Sequence, residues 1–386
     1  MKKYIIILSM VLYGTVDNTF GQHREIIVPD IPGYQTLKGD FHMHTVFSDG
    51  HVWPTFRVKE ALRDDMDVIA ITEHMDYEGF PDEIERDYNK SYEIAAAAAK
   101  DKGIMVIKGV EISPRVPPYH HNAIFLDDAN SFPIDYMENT HKKFVMKDSI
   151  SREALMAPFL EAQRQGAFVS YNHPSYSWWD RKDTVLFTDF HQELLEKGIL
   201  GGVEVVNSGR YNIIAHRMAM KYNLTMLCNT DEHYDMYPRY ADSHRPMTLV
   251  FVEEKTPEGV EEAMRAKRTA LYFGDYVVAR KSEAEALFKA AVQVDAARKD
   301  RNDEPIIVVT VKNTSDIPFR LQLKSRYDIE SLPMGQLQLG AQEEKEVVLK
   351  AVWKTPQETT LAVTVENMLV TPDEALETQF RFSELE

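Results

Sequence analysis

Between Lys38 and Phe273 short apolar runs alternate with amphipathic stretches, and nearly every apolar run ends in a histidine or a carboxylate. No other feature constrains the chain as strongly. The runs cover 38–44, 68–73, 105–112, 122–126, 167–172, 202–207 and 225–231, with helical patterns over 55–63, 84–102, 151–165 and 187–197 between most of them. Alternating strands and helices predict parallel strands with helices outside, and about seven such units predict a barrel rather than an open sheet. In such barrels chemistry collects at the C-terminal strand ends. The strand ends here define one mouth lined with imidazole and carboxylate.

Taken in order, GDFHMHT places His42 and His44 two apart, on one side of a strand, so one metal can take both. Asp49 follows in SDG, on the loop above. AITEH ends the second run with Glu73 and His74, and GVEIS ends the third with Glu111, a carboxylate able to bridge two metals. YHHNAIFL supplies His120 or His121 at the start of its segment, SYNHP supplies His173, and NTDEH ends with Asp231 and His233, again two apart. Any one of these pairs is weak; gathered at one mouth, they would bury unpaired charge unless they held cations. Imidazole and carboxylate without thiolate suit Zn, Mn or Fe, and more than four candidates imply two or three divalent ions.

The motifs FHMHT with SDG, ITEH, GVEIS, YHHNA, NHP and TDEH, in this order, resemble those of the PHP family, the polymerase and histidinol phosphatase domain. The resemblance runs over roughly 38–273. It implies an α/β fold, a distorted, TIM-like (β/α)7 barrel. It also implies three metal positions. One is held by His42, His44, Glu111 and Asp231, a second shares Glu111 and adds His120 and His173, and a third uses Asp49, His74 and His233. Strand alternation lets only one of His120 and His121 point inward, and the resemblance, with its His-x-Asn-Ala pattern, favours His120. Two-domain exported members of this layout resemble bacterial phosphodiesterases. The implied function is hydrolysis of a phosphate mono- or diester by metal-activated hydroxide at a multinuclear site, on a small-molecule substrate.

Arg210, Arg245 and Arg115 follow strand ends, where a guanidinium could clamp phosphate oxygens. His244 is placed to protonate a leaving group. Glu204 lies outside the implied metal set and is read as orienting a ligand histidine, His216 as a surface or packing residue. The aromatic run YSWWD, 176–180, is read either as a grip for an apolar substrate group or as packing on the barrel rim. Two other readings compete. One is an amidohydrolase-like hydrolase of a C–N or C–O bond, which would need a bridging lysine; Lys108, the nearest, lies mid-strand. The other is a non-catalytic metal- or ligand-binding module.

After about residue 280 the pattern changes. Strict alternation from 305 onward, without histidine, predicts a small all-β sandwich. The expected organisation is a signal peptide over 1–21, a barrel over 22–280, a linker helix over 281–304 and the sandwich over 305–386. The N-terminal basic pair, short apolar run and small residues predict export, secreted or periplasmic, and no run is long enough for a membrane span. A net charge of −17 disfavours a broad nucleic-acid surface. Cys228 is the one cysteine, so packing rather than a disulfide must hold the fold, and the thiol is read as core.

Overall fold

A computed structural model describes residues 25–139, 144–174, 187–350 and 358–383. The expected signal peptide and the aromatic run 176–180 lie outside the described residues. The first part of the chain runs β1 (Gln35–Asp40), α1 (Pro54–Arg63), β2 (Val68–His74), α2 (Tyr88–Ala99), β3 (Met105–Ile112), β4 (His121–Ile124), the paired strands β5 (Met137–Asn139) and β6 (Phe144–Met146), α3 (Arg152–Arg164), β7 (Phe168–Tyr171), α4 (Asp189–Glu196), β8 (Leu200–Asn207), β9 (Arg210–Tyr211), α5 (Ile213–Lys221), β10 (Thr225–Asn229), α6 (Tyr237–Tyr240), β11 (Met247–Val252), α7 (Pro257–Arg265), β12 (Thr269–Phe273), β13 (Tyr276–Ala279) and α8 (Lys281–Ala291). Several helices start on side-chain caps: the side chains of Asp87, Ser151, Asn212 and Thr256 accept backbone N–H bonds at the heads of α2, α3, α5 and α7.

Seven strands form the barrel wall in the order β10-β8-β7-β4-β3-β2-β1. Six pair in the parallel sense, but β4 runs antiparallel to both β3 and β7. The expectation of uniformly parallel strands is corrected here. The stretch 113–120 holds no helix, and a parallel return needs a longer crossover. The reversal explains why the fourth segment carries its histidines at its start: that end of β4 lies at the mouth. The two borders of the wall meet there as well. Met43 and Glu232 form a parallel bridge, Asp231 N donates to His42 O (2.9 Å) and His44 N donates to Glu232 O (3.1 Å). Below the bridge β1 turns its free edge to β11 instead, in antiparallel register from Gln35↔Val252 to Gly39↔Thr248. The barrel therefore closes at its mouth and is propped open beneath it.

Inside, the side chains form layers. Val68, Ala70, Ile107, Ile124, Phe168 and Leu227 make a buried apolar floor. Gly202 borders it, where a Cβ would stand 2.9 Å from the Phe168 ring, so a larger residue would displace that ring. Alternate residues further along the same strands share that inward face: His74 on β2, Glu111 on β3, Asn122 on β4 and His120 just before it, Asn172 after β7, Glu204 on β8, and Asn229 and then Asp231 after Leu227.

The second part begins earlier than expected. The helix over 281–304 stops at Ala291, and Val292–Arg301 is a strand, β14. It pairs with β15 (Glu304–Asn313) across a two-residue turn in which Asn302 and Asp303 both have positive φ, the geometry of a tight hairpin. Its charged second half conceals an alternation that buries Val292 and half-buries Val294 and Ala296. The remaining strands are β16 (Phe319–Lys324), β17 (Asp328–Glu330), β18 (Gln336–Leu339), β19 (Glu344–Lys350), β20 (Glu358–Thr371) and β21 (Glu374–Ser383). They form two sheets, β14-β15-β19-β17 and β18-β16-β20-β21, with Ile307, Val309, Leu321, Val347, Leu361 and Val363 in the core between them. This all-β sandwich is fused to the barrel: β20 pairs in parallel with β13, Val277↔Met368 and Val278↔Leu369. Among the described residues no helix is long and apolar enough to cross a membrane.

Candidate metal centre

The nine residues named as metal ligands converge at the closed mouth. Four overlapping groups have ligand atoms within 4.8 Å of one another: His44, Asp49, His74 and His233; His42, Glu111 and His173; His42, His44 and Asp231; and His74, Glu111 and His120. Glu111, fully buried, is the hub. Its Oε1 lies 3.3 Å from His42 Nε2, 3.2 Å from His120 Nδ1 and 3.4 Å from His173 Nε2. Its Oε2 lies 2.7 Å from His74 Nδ1. Asp231 faces the same space, with Oδ1 3.2 Å from His42 Nε2 and 3.3 Å from His44 Nε2. Asp49 closes the outer side, 3.2 Å from His233 Nε2 and 3.6 Å from His74 Nε2.

The grouping differs from the implied one in two places. The resemblance places His44 with His42, Glu111 and Asp231, yet its ring is sandwiched by His74 (4.3 Å) and His233 (4.2 Å) and belongs also to the Asp49 group. His74, assigned with Asp49 and His233 alone, also meets Glu111 and His120. Both residues stand at the junction of two groups. His121 points the other way: it is buried and stacked on Tyr171 (4.9 Å), with Nδ1 bonded to Tyr119 O.

These side chains are held by a buried polar frame. Glu204 Oε1 accepts from His42 Nδ1 (2.7 Å) and from Asn229 (2.9 Å), while its Oε2 accepts from the His173 backbone N–H (2.8 Å) and Asn207 (3.0 Å). Its role as the group that orients a histidine is thus visible as a hydrogen bond. Asn172 donates to Glu111 Oε1 and to Asn122, which donates in turn to Phe41 O. Arg57, fully buried on α1, donates to the carbonyls of His44, Glu232 and Tyr234 and pairs with Glu60, tying the first and last ligand loops together. Asn122, Asn172 and Arg57 escaped the sequence reading. Inward parity would have found the asparagines; an arginine within a helix carries no such signal. Asp231 (φ 54°) and His173 (φ 26°) have left-handed backbones, rare outside glycine and common at functional sites.

The electrostatics follow from burying imidazoles and carboxylates together. Burial alone would strip the proton from His42, but Asp231, Glu204 and Glu111 outweigh it and raise its proton affinity well above the usual range. Burial likewise opposes the charge on His74, yet Glu111 and Asp49 push it up to about 10. His44 goes the other way, to about 3, because burial is joined by the charges of His233 and His74. Burial also disfavours the charge on Glu111, but His74, His120 and His42 hold it well below the ordinary carboxylate range. His44 Nδ1 is buried with no hydrogen-bond partner, and His74 Nδ1 and Glu111 Oε2, 2.7 Å apart, have no hydrogen-bond partner beyond their own ion pair. Buried polar atoms normally find partners. Lone-pair atoms aimed at shared points, with oxygen and nitrogen donors only, fit hard or borderline divalent ions.

The residues proposed for catalysis fare differently. Arg245 is fully buried and spends its guanidinium on Asp40 Oδ2 (3.1 Å) and the sulfur of Met236 (3.0 Å), so it supports the barrel beneath the mouth and cannot clamp a substrate. His244 has both ring nitrogens 2.8 Å from carbonyls, of Arg245 and Gly274, and its ring stacks on Tyr272 at 3.9 Å. It therefore fastens a loop to β12 and is not poised to donate a proton. Arg210 is exposed on β9, in the short hairpin after β8, and remains at the rim. Arg115 lines a cavity of about 690 Å³ together with Asp49, His74 and His120. His216 is buried, with Tyr211 Oη 2.9 Å from its Nδ1: a packing residue.

A family model for the PHP domain matches residues 40–242, and one for an Ig-like domain matches 292–381. A two-domain protein of Bacteroides vulgatus, containing a predicted PHP-like metal-dependent phosphoesterase, is 33% identical to this chain; the match covers 94% of this chain and 99% of that one, with a TM-score of 0.80. Two other solved structures, from Bifidobacterium adolescentis and Chromobacterium violaceum, are 18% and 15% identical with TM-scores of 0.39 and 0.38. They cover 50% and 61% of this chain, and 87% and 97% of their own, and are too distant to bear on its chemistry. An uncharacterised protein of Methanocaldococcus jannaschii is 37% identical over 88 residues, 21% of this chain. The chain spans about a third, 36%, of the length of that curated relative.

Proposed function

The chain belongs to the PHP family, and from that premise we propose that it hydrolyses phosphate mono- or diesters at a centre of two or three divalent ions. The observation that supports this most is the placement of Glu111, with one oxygen shared among three imidazoles and the other against a fourth. His42, His44, Asp49, His74, Glu111, His120, His173, Asp231 and His233 would hold the ions. Zinc, manganese or iron there would make water nucleophilic near neutral pH and neutralise charge on phosphate oxygens. The chain's own residues supply the rest. Glu204 fixes the ring of His42, Asn172 fixes the carboxylate of Glu111, and Arg115 stands on the cavity wall where a phosphate oxygen could meet it.

The amidohydrolase-like alternative needs a lysine at the bridging position. Lys108 instead reaches the carbonyl of Asp127 (2.7 Å) and lies over the ring of Tyr92, while Glu111 occupies the hub. We also read residues 1–21 as an export signal, which would place the enzyme outside the cytoplasm. The test is metal analysis of the purified full chain paired with assays on p-nitrophenyl phosphate and bis-p-nitrophenyl phosphate. Turnover that disappears in His42→Ala and in Asp231→Ala is expected. Stoichiometric metal with no turnover of either ester, or hydrolysis of an amide in place of both, would sink the proposal.

A further inference from the structure

We propose that the cavity beside Asp49, His74 and His120 receives a phosphate ester whose alcohol is uncharged and apolar, lodged against the β5–β6 hairpin; this rests on the phosphoesterase reading and extends it to substrate class. The cavity measures about 690 Å³. Pockets of about 300–1,000 Å³ take ligands far larger than inorganic phosphate, so metal-bound phosphate would leave most of this one to the organic group. Besides the candidate ligands, Met137 of β5, Val145 and Met146 of β6, and Tyr77 line it. Val145 is 49% exposed and Tyr77 39% exposed, apolar surface left open beside a polar centre. Exposed apolar surface grouped in a cavity marks a binding site more often than chance packing.

The hairpin is not part of the barrel wall; among the described residues its two strands pair only with each other. It is nevertheless fixed to the ligand-bearing strands. Tyr136, fully buried at its base, donates its hydroxyl to Asp76 Oδ2 (3.0 Å), and Ser113 donates to the other oxygen. Lys147 N donates to Tyr136 O (3.0 Å) and closes the hairpin. Asp76 lies two residues past His74 and Ser113 two past Glu111. The apolar wall and the candidate ligands therefore share one frame. Charge narrows the choice further. Among the described lining residues Arg115 is the one cation apart from histidine, against the carboxylates of Asp49 and Asp76. An anionic group on the alcohol would face those carboxylates.

The test compares phenylphosphonate with methylphosphonate by calorimetry on the full chain loaded with manganese. We expect phenylphosphonate to bind about tenfold more tightly, the scale set by burying a few apolar groups. Val145→Asp should erase that preference, and Met334→Ser, in the sandwich, should retain it. Equal affinities in the unmodified chain, or a preference that survives Val145→Asp, overturns the inference. Turnover of phenyl phosphate and glycerol phosphate separates the two readings. Phenylphosphonate preference with no turnover of either ester keeps the apolar subsite and removes the esterase reading. Turnover without phenyl preference removes the apolar subsite alone.

Discussion

Glu204 Oε1 lies 2.7 Å from His42 Nδ1, and the other oxygen of the same carboxylate accepts the backbone N–H of His173. One buried acid thus sets two candidate ligands on two strands. Replacing it by Gln keeps the volume but removes the charge that favours the proton on Nδ1 and leaves Nε2 for a metal. Glu204→Gln should weaken metal binding by about 10–100-fold, the usual effect of losing such a partner. Equilibrium dialysis against zinc or manganese measures it, and unchanged affinity would show that His42 needs no orientation.

Metal loading should release protons. Without an ion, burial opposes charge on His74 but Glu111 and Asp49 hold its pKa near 10, so it is protonated at pH 7.5. A histidine must be neutral to bind a metal. Titrating zinc into the metal-free protein at pH 7.5, in two buffers of different ionisation enthalpy, should give heats that differ by at least one released proton per chain. Identical heats would mean that His74 enters the site already neutral.

Arg57 is the clasp between the loops that carry the first and last candidate ligands. Arg57→Ala would leave the carbonyls of His44, Glu232 and Tyr234, and the buried Glu60, without their partner. A loss of about 3–5 kcal/mol is expected for breaking a buried ion pair in this way. Arg57→Lys should fall between, because an ammonium cannot fork toward three carbonyls. Urea denaturation of both variants provides the comparison; a cost below that of an ordinary surface change would refute the role.

Stability should also fall in mild acid for reasons outside the metal centre. Burial pulls His191 down to about 4, and burial with the neighbouring Arg280 does the same to His216. Below pH 6.5 the unfolded chain takes up protons that the folded chain refuses until about pH 4. The stability these histidines confer is therefore complete above 6.5 and is lost as pH falls from 6.5 toward 4. At pH 5 each contributes a loss of roughly 2 kcal/mol. His216→Gln should flatten the dependence of urea midpoint on pH across that window, and an unaltered slope would rule it out.

Much of the candidate centre was legible because its candidate ligands follow parity. His42 and His44, or Asp231 and His233, are two apart, and residues two apart share a face whatever the rest of the fold does. His120 rather than His121 follows from the same rule, once Ile124 is known to face the floor. Direction was not legible: nothing in YHHNAIFL distinguishes a reversed β4 from a parallel one, and only the helix-free stretch 113–120 hints at it. Proximity in sequence misled at His244 and Arg245. They follow the last ligand strand, but Arg245 is turned into the core by Asp40, and His244 is drawn to β12 by the carbonyl of Gly274. Both partners are remote in sequence. The strand 292–301 was missed because charge dominates its second half, although Asn302–Asp303 is a recognisable hairpin turn.

The seam between β13 and β20 makes the sandwich a flank of the half that carries the candidate metal centre rather than a tethered passenger. A chain cut after Ala291 would keep every candidate ligand yet bare the backbone of Val277 and Val278 along an open edge, an invitation to pair with another molecule. Such a fragment is expected to associate with itself in solution, and heating the whole chain should melt both halves in one step.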